Sequence, residues 1–148
     1  MIQRPPALNE LVRRLVRQEA GGSTDPESLA AAVEGACRKL SGELETLVGR
    51  GGVAALIGRA VNLAKREFPF LGVVRLEADA PVALAGLRES LQGHDPAEAE
   101  AASVALLASL LAVLVNLLGE ELGLRPVWNV WPSASPGAAP PTLRETGE

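Results

Sequence analysis

Few residues in this 148-residue chain have the types and spacing that chemistry requires. His94 is the only histidine and Cys37 the only cysteine. A catalytic dyad that needs histidine could therefore form only at His94. One histidine with one cysteine is too few for a typical zinc site. His94 stands in a predicted turn, and Cys37 lies on the apolar stripe of a predicted helix. We expect an exposed turn residue and a buried structural thiol, with no metal and no cofactor.

Acidic and amide side chains gather near the end of the longest apolar segment. Glu120 and Glu121 are adjacent carboxylates, and Asn116 lies one helical turn before Glu120. On a helix that ends at 122, both carboxylates would face the negative end of the helix dipole, at a cost of about 0.3–1 kcal/mol each. An ion pair between Glu121 and Arg125, four residues later, would offset part of that cost.

Two tryptophans follow this acidic pair and give it a second interpretation. Trp128 and Trp131 are large enough to form a lid that closes one end of a helical bundle. Either the polar groups of 116–125 are paired for structural reasons, or they line a small-molecule pocket bounded by the tryptophans. No catalytic residue is assigned, and the speculative ligand-binding set is Asn116, Glu120, Glu121, Arg125, Trp128 and Trp131.

Glycine and arginine supply two further candidates that the sequence explains more simply. The run 49–52 (Gly-Arg-Gly-Gly) precedes a helix, where bare amides can hold phosphate, but it lacks the Lys-Ser/Thr pair of a P-loop. A turn between two helices accounts for it. Basic residues of the N-terminal half could form a nucleic-acid surface, although solvated helix faces are the simpler interpretation. These residues are Arg13, Arg14, Arg17, Arg50, Arg59, Lys65 and Arg66.

Composition limits the classes of protein and partner. Lys and Arg total 14 against 18 Asp and Glu, a net charge of −4, which argues against nonspecific nucleic-acid binding. Residues 1–75 hold 11 basic and 8 acidic residues, a net +3, whereas residues 76–148 hold 3 and 10, a net −7. Such halves could dock within one chain or head to tail between chains. A single cysteine and an N-terminus without an apolar run predict a cytoplasmic protein.

Hydrophobic periodicity predicts a single all-α domain over 1–132, with four or five helices. The predicted helices cover about 9–20 (capped by Asn9), 26–48, 52–68, 82–91 and 96–122, and an extended segment or loop covers 73–78. Asp25-Pro26 and Asp95-Pro96 are start signals, and Gly49 is a stop signal. Leu47 and Leu117 belong to the predicted buried stripes. Pro126 is expected to break or kink the chain, and residues 133–148 are predicted to be a disordered Pro/Ala-rich tail.

The helix predicted over 96–122 is the centre of this bundle. Between 104 and 118 only Ser109 and Asn116 are polar, a run of 15 residues. A membrane-spanning helix needs about 20 apolar residues, so we expect a helix buried inside the bundle and no membrane span. An alanine stripe permits close approach of a neighbouring helix, while leucines fill the remaining core.

The run 119–125 (Gly-Glu-Glu-Leu-Gly-Leu-Arg), followed by Val130-Trp131-Pro132, resembles a C-terminal pattern of small all-helical proteins of GC-rich bacteria. The resemblance extends over about 40–132 and includes Gly51-Gly52 and Gly86-Leu87. It implies a helical fold and a bacterial source, but no activity. Pro126 and Trp128 depart from the pattern, which has aliphatic or polar residues at these positions.

The sequence favours a non-enzymatic protein–protein interaction or adaptor module. A central helix that is apolar on nearly all sides needs more cover than the other helices supply, and uncovered apolar surface would mark a partner site. The expected partner is a second copy, as a homodimer, or another bacterial protein. The alternative is a small-molecule binder or enzyme that uses the pocket near Asn116, Glu120, Arg125 and Trp131. A DNA-binding regulator is the weaker alternative.

Overall fold

The computed structural model describes residues 6–76 and 84–134, and within these ranges the chain is an all-α bundle, as predicted. It has five helices and one small two-stranded sheet. The helices are α1 (Pro6–Glu19), α2 (Pro26–Glu67), α3 (Leu87–Leu91), α4 (Pro96–Leu118) and α5 (Glu120–Val130); the strands are β1 (Arg75–Leu76) and β2 (Leu84–Ala85). Short 3-10 turns cover Pro69–Val73 and Pro132–Ala134.

Helix α2 is two helical segments joined at Gly49. The dihedral angles of Gly49 are φ 77° and ψ 169°, a backbone region that is essentially restricted to glycine. A single residue therefore turns the chain between the segments 26–48 and 50–67, as the glycine stop signal predicts. The second segment starts two residues earlier than expected, and the chain leaves it before Pro69.

Gly119 forms a corner of the same kind between α4 and α5. Its dihedral angles are φ 88° and ψ 163°, close to those of Gly49. The prediction of one helix over 96–122 is therefore wrong: α4 ends at Leu118, and α5 begins at Glu120. Gly123 then packs so tightly against α4 that an added Cβ would lie 2.8 Å from the carbonyl oxygen of Leu114.

Aspartates cap the starts of α2 and α4, as the sequence predicts. The Asp25 Oδ2 atom accepts from the amide of Ser28 at 3.2 Å, and Asp95 Oδ1 accepts from the amide of Glu98 at 2.7 Å. Each cap satisfies an amide that has no partner inside its helix. The predicted cap at Asn9 is wrong, because α1 already begins at Pro6.

The core surrounds α4, which is buried almost continuously from Ala99 to Leu114. Helices α1, α2 and α5 pack directly on it. Buried apolar residues recur on α1 and on both segments of α2, in line with the hydrophobic periodicity that predicts these helices. Leu47 and Leu117 are the exceptions, since both are exposed instead of buried. Each lies two residues before a corner glycine, where its helix ends.

Two described helices, α2 and α4, are long and apolar enough to cross a membrane by length and composition alone. Of the most apolar 18-residue stretch of each helix, 72% is buried inside the bundle in α4 and 33% in α2. A buried core helix has the same composition as a membrane span, and α4 occupies the core position here.

A short hairpin and α3 replace the helix predicted over 82–91. Strands β1 and β2 pair antiparallel, with Arg75 opposite Ala85 and Leu76 opposite Leu84. The Glu34 carboxylate on α2 accepts from the amide of Leu84 at 2.8 Å, which fixes β2 against the bundle. Helix α3 starts only at Leu87. The remainder of the predicted extended segment, 77–78, and residues 82–83 of the predicted helix lie outside the described residues.

Pro126 does not break the helix, so the break is the part of the break-or-kink prediction that is wrong. Pro126 lies inside α5, and residues on both sides of it remain helical through Val130. Pro126 and Val127 are buried, so packing offsets the backbone hydrogen bond that proline cannot donate. Of the predicted tail, residues 133–134 belong to a 3-10 turn, and 135–148 lie outside the described residues.

Replacing Gly49 or Gly119 by alanine is expected to lower the free energy of unfolding by about 1–3 kcal/mol each, because alanine is strained in this backbone region. An added Cβ meets no atom within 4 Å at either position, so the loss reflects backbone conformation and not a clash. Urea unfolding followed by circular dichroism measures the change.

Gly42→Ala is the matched control, since Gly42 lies inside α2 and its added Cβ also meets no atom within 4 Å. Alanine is favoured over glycine inside a helix, so this variant is expected to raise the free energy of unfolding by about 0.5–1 kcal/mol. A similar loss of stability in all three variants would contradict the conclusion that the backbone at Gly49 and Gly119 requires glycine.

Candidate functional site

The corner between α4 and α5 gathers the polar residues that the sequence singled out at 116–121. Asn116, Glu120 and Glu121 are all exposed. The exposed Leu117 and Leu122 flank them on either side of Gly119. This α4–α5 corner therefore presents apolar side chains bordered by carboxylates, and its residues form a surface rather than a cleft.

Gly119 reverses the electrostatic environment expected for the two carboxylates. Because a new helix begins at Glu120, both residues lie in the first turn of α5. They face the positive end of a helix dipole, which stabilises them, and not the negative end of a longer helix. The predicted position of both carboxylates in the last turn of one long helix is therefore wrong. The predicted ion pair of Glu121 with Arg125 is not among those formed by the described residues.

The predicted pocket is not assembled from its six residues. Trp131 follows the last residue of α5, about 16 Å along the helix axis from Glu120 at 1.5 Å per residue. Trp131 is buried, with 3% of its surface exposed, whereas Trp128 is half-buried and Arg125 is exposed. The structure thus brings together Asn116, Glu120 and Glu121 at one end of α5 and separates them from the tryptophan at the other.

Glu19, which the sequence did not single out, is the partner of Trp131. The indole Nε1 donates to Glu19 Oε2 at 2.9 Å, and Lys39 Nζ donates to the same oxygen at 2.7 Å. The Glu19 side chain is largely buried, with 12% of its surface exposed. One carboxylate therefore joins the end of α1, the middle of α2 and the end of α5. Asn129 Nδ2 adds a second tie to α2 by donating to Glu43 at 3.0 Å.

A second largely buried carboxylate joins the basic and acidic halves of the chain. Arg17 on α1 donates through Nε and Nη2 to the two oxygens of Glu100, at 2.7 Å and 3.3 Å. Only 12% of the Glu100 side chain is exposed. This pair joins the N-terminal and C-terminal halves within one chain, which is the simpler of the two interpretations of the charge split. It leaves other charges of both halves at the surface.

The residues around Gly49 resemble those of the α4–α5 corner. Leu47 is exposed two residues before Gly49, as Leu117 is before Gly119. Arg50 follows Gly49 directly and is exposed. Within the run 49–52 only Gly49 forms the turn between helical segments, and 50–52 belong to the second segment. A turn between two helices is what the simpler interpretation of this run predicts. We refer to this set, Leu47, Gly49 and Arg50, as the Gly49 corner.

His94 is held in a local arrangement at the start of α4. Its ring stacks on Phe70, with ring centroids 3.8 Å apart, and its Nδ1 lies 2.9 Å from Glu98 Oε1. The side chain is partly exposed. The Phe70 contact joins the 3-10 turn that follows α2 to the start of α4, whereas the Glu98 contact is local to α4. Among the described residues, the partners of the His94 ring are thus an aromatic ring and a carboxylate.

A groove of about 370 Å³ lies between the start of α2 and α3. Its walls include Ala30 and Ala31, and three glutamates and Arg88 border it. The Glu34 carboxylate already accepts from the Leu84 amide. The Arg88 guanidinium lies 3.7 Å from a carboxylate oxygen of Glu89 and 4.0 Å from one of Glu27. The charged groups of this groove are therefore engaged with the protein itself.

Glu19→Ala is expected to lower the free energy of unfolding by about 1–3 kcal/mol, because it leaves the buried indole N–H of Trp131 without an acceptor. Urea unfolding followed by tryptophan fluorescence measures the loss. Glu10→Ala on the same helix is the control, since Glu10 is exposed and its nearest cation, Arg13, lies 3.8 Å away. The control is expected to change stability by no more than about 0.5 kcal/mol. Equal losses of stability in the two variants would contradict the role of Glu19 as the acceptor for the Trp131 indole.

Burial raises the pKa of the Cys37 thiol from 9.0 to about 12, with a smaller contribution from the charge of Glu34. The folded chain thus holds the thiol proton more tightly than the unfolded chain. The resulting stability is complete below pH 9 and is lost as the pH rises towards 12. Relative to Cys37→Ala, the wild-type free energy of unfolding is expected to fall across this window. Parallel pH profiles of the two proteins would show that the thiol is exposed.

The same burial predicts that the native thiol does not react with an alkylating reagent. Alkylation measured by mass spectrometry is expected to be complete in concentrated urea and negligible in the folded protein. Rapid labelling without urea would contradict the buried position of Cys37.

Comparison with protein families, with characterised proteins and with solved structures finds no significant match. Function is therefore argued from the geometry of the described residues. That geometry includes exposed leucines at the two glycine corners, beside charged residues that form no ion pair with other described residues.

Proposed function

We propose that this protein is a non-enzymatic protein–protein interaction module that self-associates through the leucines of its two glycine corners. The observation that carries the proposal is the position of the exposed apolar side chains. Four large hydrophobic residues are exposed in the described ranges: Leu47 (49%), Leu117 (59%), Leu122 (37%) and Val73 (61%). Three of the four belong to the corners.

The fold buries most of the other large apolar side chains of the described residues. Helix α4 is covered from Ala99 to Leu114, so the surplus expected along a central apolar helix is confined to its last turn. Leu117 and Leu122 remain outside that cover, on either side of Gly119. Contiguous exposed apolar surface is typical of sites where another surface docks.

Energetics favour weak, concentration-dependent association. Burying a whole leucine side chain contributes about 1.5–3 kcal/mol, and these leucines are roughly half-exposed, so each contributes about 1 kcal/mol on docking. Six leucines from two copies contribute about 6 kcal/mol, while association costs about 4–15 kcal/mol in lost freedom of motion. The leucines therefore need support from other contacts at the same surface.

Replacing Leu117 and Leu122 together by glutamine is expected to shift the protein towards the monomer, because the apolar contact between copies is lost. The measurement is the mass from light scattering on a sizing column, repeated over a range of protein concentrations. Circular dichroism verifies that the helices are retained, since Leu122 is partly buried.

Val73→Ser is the control, because it removes a comparably exposed apolar side chain away from both corners. This variant is expected to keep the mass of the wild type. A wild-type protein that is monomeric at every concentration would contradict the proposal, as would an equal effect of the control.

A further inference from the structure

The two corners have nearly the same backbone geometry. Gly49 has φ 77° and ψ 169°, and Gly119 has φ 88° and ψ 163°. Each glycine joins two helical segments without any intervening loop. In each corner a leucine two residues before the glycine is exposed. The chain thus presents the same local shape twice, with the same apolar side chain at the same place.

The charges that follow the two glycines have opposite signs. Arg50 begins the segment after Gly49, whereas Glu120 and Glu121 begin the segment after Gly119. All three side chains belong to exposed residues. None of them takes part in an ion pair with another residue of the described ranges. The corners therefore resemble each other in shape and complement each other in charge.

We propose that the Gly49 corner of one copy docks on the α4–α5 corner, around Gly119, of a second copy. In this contact Leu47 packs on Leu117, and Arg50 pairs with the carboxylates of Glu120 and Glu121. The inference rests on the proposed self-association and names the surfaces that meet. Charge pairing supplies the support that the leucines alone lack, and it selects the unlike corner as the partner.

Self-complementarity is what points to a second copy of this chain. A corner that carried only carboxylates would require a basic partner from elsewhere, but this chain supplies its own basic counterpart on an equivalent turn. If both corners of each copy engage at once, two copies form a closed two-fold dimer. If only one corner engages per partner, copies add head to tail. The same contact occurs in both arrangements.

Charge reversal at either corner tests the pairing. Arg50→Glu places like charges opposite each other, and so does the double variant Glu120→Arg, Glu121→Arg. Each protein alone is expected to self-associate at least about tenfold more weakly than the wild type. An equimolar mixture of the two is expected to recover the wild-type mass, because every corner then meets its opposite charge.

Recovery in the mixture also shows that both variants are folded. Glutamate at 50 lies at the start of a helical segment, where a negative charge is stabilising, and arginine at 120 and 121 has the less favourable sign. A single chain that carries all three reversals is expected to self-associate like the wild type. Arg14→Glu, the same reversal at an exposed arginine on α1, is expected to leave the mass unchanged.

The outcomes separate this inference from the proposed function. If the wild type is monomeric throughout, both fail. If the wild type associates and the leucine variant does not, but the charge variants keep the wild-type mass, self-association stands and the corner pairing is wrong. Loss of association in both charge variants without recovery in the mixture also overturns the pairing.

Discussion

The fold depends on one backbone conformation that only glycine adopts readily. A straight α2 of 42 residues would be about 63 Å long at 1.5 Å per residue. A compact chain of this size has a radius of gyration of only about 15 Å. Gly49 and Gly119 resolve this conflict with single-residue turns. Because of these turns, the chain folds back on itself, and α2 and α5 both pack on α4.

Local signals in the sequence were sufficient to predict most of the helices. The aspartate caps at Asp25 and Asp95 and the break at Gly49 are set by residues within one turn, so spacing alone identifies them. Gly119 was missed because one glycine inside an apolar helix costs only about 1 kcal/mol, and a long helix can continue through it. Its role is decided by the tight packing of Gly123 on Leu114, which no local pattern contains.

The candidate site was predicted less well, for a related reason. Residue type marked Trp131 and Glu120 as unusual, but whether they share a pocket depends on where α5 begins. The hydrogen bond from Trp131 to Glu19 spans 112 positions, and spacing within either helix gives no sign of it. Leu47 and Leu117 follow the periodicity of buried stripes, and only the corner that ends each helix exposes them. A leucine two residues before a helix-ending glycine is the one signal that could have been used.

The carboxylate of Glu19 has a consequence for the order in which the protein can fold during synthesis. Its partner Lys39 follows 20 residues later, but Trp131 follows 112 residues later. At about 5–20 residues per second, a ribosome takes roughly 6–22 s to add that length of chain. For most of this interval α4 has not been completed, so the apolar face of the nascent α1 lacks the helix on which it packs in the folded protein. The first helix to be made is thus among the last to be fixed in place.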